Sequence, residues 1–71
     1  MITATITNII LEWNRFRVFF NLSNGIEENN LFHPEVIADE IQIYIRDRKE
    51  YYNELVLKEL ELKDSLIGIE L

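Results

Sequence analysis

Between Pro34 and Gly68 the chain contains neither glycine nor proline. That run constrains the fold more than any other feature, because its apolar residues also keep a helical period. Ile37, Ile41, Tyr44, Ile45, Tyr52, Leu55 and Leu62 fall on one face at about 100° per residue. Asp39, Arg46, Asp47, Glu50, Asn53, Glu54, Glu61 and Asp64 fall on the other. The spacing predicts one long amphipathic α-helix over residues 36–66. Pro34 is expected at its entrance, where a missing N–H costs no helical bond, and Glu35, Asp39 and Glu40 suit the positive end of the dipole. Glu54–Lys58 and Glu59–Lys63 form i,i+4 pairs in the favourable order, each contributing about 0.2–0.5 kcal/mol.

A helix of this length is a rod of about 45 Å, more than a short sheet covers. Ile43, Val56, Leu57, Leu60 and Leu66 lie off the main stripe and broaden the apolar surface of the C-terminal half. A second apolar cluster at near-helical spacing points to a second contact. Arg48 and Glu59 both project from the apolar stripe, about 16 Å apart along one rod and too far to pair with each other. In an antiparallel helix pair centred near Asn53, Arg48 of one copy would lie near Glu59 of the other. Alternatively each side chain snorkels to water along its aliphatic stem. The expected interface set is Arg48, Val56, Leu57, Glu59, Leu60, Ile67 and Ile69.

The N-terminal segment is rich in β-branched and aromatic residues and reads as an antiparallel β-hairpin over residues 2–25. With Asn14-Arg15 as the turn, Trp13 faces Phe16, Glu12 faces Arg17, Leu11 faces Val18, Ile9 faces Phe20 and Asn8 faces Asn21. Alternation then gathers Trp13, Phe16, Leu11, Val18, Ile9, Phe20 and Leu22 on one face, where the helix is expected to dock. Ile6, Ile10 and Phe19 would sit on the opposite face, partly exposed. Arg15 is a poor residue for the second position of a primed turn, so a longer loop is the alternative. Ser23-Asn24-Gly25 is the strongest turn signal and ends the second strand. Residues 26–35 read as the loop to the helix, with room for a short strand at residues 26–28. The Leu31-Phe32 pair is expected to tuck under the helix start. After the helix, Ile67, Ile69 and Leu71 alternate with Gly68 and Glu70, which reads as a short C-terminal strand or a tail. Such a strand would reach a neighbour's sheet edge more easily than its own hairpin.

The fold class is therefore α+β in one small domain of 71 residues. A core of that size supplies few kcal/mol, and without cysteine there is no disulfide staple or thiolate metal site. Association with another chain would make up the difference. The formal net charge of −6 argues against nucleic-acid binding. No stretch approaches the apolar length of a membrane span, and the N-terminus lacks a basic region and apolar run, so a cytoplasmic location is expected. His33, the single histidine, has no ligand set around it, and Ser23 and Ser65 have no local base. No cofactor, metal or catalytic residue is expected. The expected function is non-enzymatic: a small structural or assembly subunit, or adaptor, that self-associates or docks in a larger complex, a virion or phage particle being one setting. The alternative is an acidic inhibitor that blocks a basic site on a target protein.

Overall fold

The computed structural model describes residues 1–71. Three strands, β1 (Ala4–Glu12), β2 (Arg15–Leu22) and β3 (Glu27–Phe32), precede one helix, α1 (Ala38–Leu66). The strands form an antiparallel sheet in the order β1-β2-β3, and α1 lies across one of its faces. The α+β class is as read from the sequence, with one strand more than the hairpin.

The first hairpin turns one residue earlier than expected. Glu12 pairs with Arg15, Leu11 with Phe16, Ile10 with Arg17 and Ile9 with Val18. Trp13-Asn14 is thus the turn. Trp13 takes φ 58 there and is 99% exposed, so it is not a core anchor. The expected Glu12–Arg17 ion pair still forms, diagonally, with Arg17 Nε donating to Glu12 Oε1 at 2.8 Å. Arg17 Nη1 also donates to Asn29 Oδ1 at 2.6 Å, so one guanidinium ties all three strands on the outer face.

A bulge at Thr7 explains how one strand carries two phases. Between Ile6 and Asn8 the register shifts, so Ile6 pairs with Phe20 while Asn8 pairs with Phe19. The extra residue turns the even positions Ile2, Ala4 and Ile6 to the side that carries the odd positions Ile9 and Leu11. Ile6 therefore sits on the helix side of the sheet, not the outer side. Ile2, upstream of the strand, completes the core, and its N–H donates to Asn53 Oδ1 at 2.9 Å.

Residues 27–32 form β3 in place of the expected loop. Asn24 Oδ1 accepts from Ile26 N–H, Gly25 takes φ 91, and the turn delivers Glu27 opposite Asn21. Polar composition hid a strand whose inward positions are Glu28, Asn30 and Phe32. Phe32 docks under the helix, stacking edge-on against Tyr44 with centroids 5.5 Å apart, whereas Leu31 faces outward.

The core is Ile2, Val18, Phe20 and Leu22 against Ile41 and Ile45 of α1, flanked by Tyr44 and Tyr52. Pro34 lies in a separate turn, closed by Val36 N–H to His33 O, and Ile37 is the helix N-cap, without a side-chain bond. His33 Nε2 instead lies 3.1 Å from Glu40 Oε2. Residues 67–71 form no strand. Ile67 N–H closes on Lys63 O, Gly68 turns the chain at φ 90, and Ile69 N–H reaches Leu66 O. Within one chain these residues have no sheet edge to join.

Candidate interaction surface

Two regions of the molecule carry apolar side chains that nothing in the chain covers. The first is the outer half of α1. Every residue from Glu54 to Leu71 is exposed, because the sheet ends near the level of Asn53 and the helix continues beyond it. Leu57 is 66% exposed and Leu60 57%, with Val56 beside them. Leu55 and Leu62 continue the stripe that packs on the sheet in the inner half, and Leu66, expected off that stripe, falls on it at about 100° per residue, yet all three project into solvent.

The second region is the helix side of β1. Ile6, Ile9 and Leu11 share that side with Phe16, Val18 and Phe20, but α1 does not cover them. Ile9 is 52% exposed and Leu11 64%, whereas their neighbour Val18 is fully buried. The helix passes over Phe32 near its start and reaches Ile2 at Asn53, so it crosses the sheet obliquely. That leaves an open groove of about 470 Å³, with Ala4 of β1 on one side and Asp39, Gln42, Ile43, Ile45, Arg46 and Lys49 of α1 on the other.

The Glu28 carboxylate, half-buried beneath α1, is paired. Arg48 grips the Glu28 carboxylate with two bonds, Nε to Oε1 and Nη2 to Oε2, both 3.0 Å. Tyr52 donates its hydroxyl to Glu28 Oε2, and the Arg48 guanidinium lies over the rings of Tyr51 and Tyr52. Hydrogen bonding from Arg48 holds the Glu28 carboxyl below the usual carboxylate range, outweighing the upward push of its burial. The same bond raises Arg48, and the bond to Glu28 raises the Tyr52 phenol. None of the three releases or takes a proton near neutral pH. The cluster is a clamp between β3 and α1.

The expected interface residues fall into two groups. Arg48 finds its partner inside the chain, in Glu28. Glu59 accepts from Lys63 Nζ at 2.7 Å, as the i,i+4 spacing implies, and this bond lowers its carboxyl. Lys58 approaches Glu61 at 4.0 Å and forms no ion pair with Glu54. Val56, Leu57 and Leu60 lie together on the uncovered half of α1, and Ile67 and Ile69 follow at its end, all exposed. The β1 strip of Ile6, Ile9 and Leu11 is absent from the expected set. Its signal is the change of phase from Ile2, Ala4 and Ile6 to Ile9 and Leu11 on either side of Thr7. Glu28 is absent because residues 27–32 read as loop, although an arginine inside an apolar stripe demands a carboxylate nearby.

No three His, Asp or Glu side chains converge as a metal site, and no helix is long and apolar enough to cross a membrane. Comparison of the chain with protein-family models, with curated proteins and with solved structures gave no match.

Proposed function

We propose that this chain is a non-enzymatic assembly subunit whose first partner is a second copy of itself. One observation carries the reading. The chain exposes 5742 Å², although a compact chain of its 8.5 kDa would expose about 4,650 Å². The surplus of about 1,100 Å² exceeds the roughly 800 Å² that each partner buries in a standard interface. Most of the exposed large apolar side chains lie on α1 and β1, so burying surface there would be favourable. The six buried residues form a small core for 71 residues, which gives the same incentive from the side of stability. A cytoplasmic setting, or a particle in which many copies meet, suits such a subunit.

Sedimentation velocity across a range of concentrations tests the reading. The wild type is expected to sediment as a multimer. Leu57→Glu combined with Leu60→Glu is expected to sediment as a monomer that keeps most of its circular dichroism near 222 nm. Burying those leucines contributes about 1.5–3 kcal/mol each, and a carboxylate in their place loses that and its own solvation. A well-folded wild-type monomer at all concentrations would overturn the proposal and favour an acidic regulator acting on another protein.

A further inference from the structure

We infer that the groove between β1 and the inner half of α1 is the seat for the outer half of α1 from a second copy, in a reciprocal antiparallel pair. The inference deepens the self-association reading and rests on it. Three dimensions agree. The uncovered helix from Glu54 to Leu66 is about 20 Å long, and β1 from Ala4 to Leu11 is about 23 Å long. The inner helix passes over Phe32 of β3 and Phe20 of β2 before it reaches the β1 side of the sheet at Ala4 and Ile2, and β1 lies two strand spacings from β3, about 9.6 Å. That matches the 8–10 Å between packed helix axes, so a second helix beside the first would lie over β1. The sheet ends at Asn53, near the middle of α1, so a twofold axis there places each outer half beside the other copy's inner half.

Side-chain directions agree as well. At about 100° per residue, Leu55, Leu62 and Leu66 continue the sheet-facing stripe of Ile41, Tyr44 and Arg48. In the pair they would face down onto Ile6, Ile9 and Leu11 of the other copy. Val56 and Leu60 point to the side on which Gln42, Arg46 and Lys49 line the groove. They would form the seam between the two helices. Charge follows the same pattern. Arg46 and Lys49 at the groove wall form none of the chain's ion pairs, and antiparallel register about Asn53 sets Asp64 of the other copy opposite Gln42, on the same side and one helical turn from Arg46.

The natural absence of cysteine makes the test direct. Ile6→Cys and Leu62→Cys are made as separate chains, mixed, and oxidised gently. Within one chain the two positions lie on the order of 25 Å apart, since Leu62 sits nine residues beyond Asn53. A mixed disulfide, joining the Ile6→Cys chain to the Leu62→Cys chain and dominating over either homodimer, supports the seat. A reference variant, Asn53→Cys, reports helix pairing about the same axis without regard to the groove. Crosslinking of Asn53→Cys with no mixed disulfide between the other two variants, in a protein that sediments as a dimer, would overturn the seat and leave self-association standing. A monomer with neither crosslink would overturn both. A charge exchange serves as the second arm. Arg46→Glu is expected to raise the dissociation constant roughly tenfold, and Asp64→Lys in the same chain is expected to restore most of it. No restoration, with both variants well folded by circular dichroism, would also overturn the register.

Discussion

Trp13 shows what a single side chain can be made to tolerate. It holds φ 58 in a two-residue turn, a conformation that costs a non-glycine residue about 1–2 kcal/mol, and it gains no contact in return. Trp13→Gly removes that cost while adding about 0.5–1 kcal/mol of unfolded-chain entropy, so a net gain of about 0.5–1 kcal/mol is expected. In a domain this small that raises the melting temperature by several degrees, which a thermal melt measures. Glu28 acts in the opposite direction, since its side chain is held by Arg48 and Tyr52. Its folded pKa lies below the ordinary 4.5, so its stabilisation is fully present above that pH and is lost as pH falls through the folded value. Glu28→Gln is therefore expected to be less stable than the wild type at neutral pH by about 1 kcal/mol. The gap should narrow steadily below about pH 4.5. Urea midpoints for both proteins between pH 3 and 7 check the sign, and a gap that widens in acid would refute the assignment.

The elements differ in how plainly their own residues announce them. α1 is legible because its period is unbroken from Ile41 to Leu66, and the structure moves its start from Val36 only to Ala38. β2 is equally plain, since Phe16, Val18, Phe20 and Leu22 alternate without fault. β1 is legible as a strand but not in register. Its two phases require Thr7 as an unpaired residue, and a turn placed one residue late makes both halves look nearly consistent. β3 is illegible as more than a fragment because Glu28 and Asn30, at inward positions, read as surface. Their inward placement makes sense only once Arg48 is known to lie above Glu28. The uncovered outer helix is expected from length alone, whereas the β1 half of the candidate surface needs the register. The bulge also sets an element-scale expectation. Deleting Thr7 should leave both phases of β1 intact and the protein cooperatively folded, because two residues then no longer oppose one. Deleting Ile10, inside the regular ladder, shifts everything upstream by one place, and its melt should be broad or absent.

At the scale of the whole molecule, the shape departs from that of an ordinary small domain. The radius of gyration is 16.6 Å, against about 11 Å for a compact chain of this length, and the long dimension is 55 Å against 19 Å for the other two. The elongation comes from α1 outrunning the sheet, so one helix lives in two environments. Its inner turns are fixed by Phe20, Ile41, Tyr44 and the Glu28–Arg48 clamp. Its outer turns, from Glu54 to Leu66, have little beyond their own backbone bonds and the Glu59–Lys63 pair. A helical segment of about 13 residues is marginal in water when nothing packs on it. Amide protons should therefore exchange with deuterium along a gradient within this single helix, slowly up to Asn53 and rapidly beyond it in dilute solution. Raising the protein concentration should slow the outer amides and leave the inner ones nearly unchanged, turning half of one helix into a gauge of how much of the protein has found a neighbour.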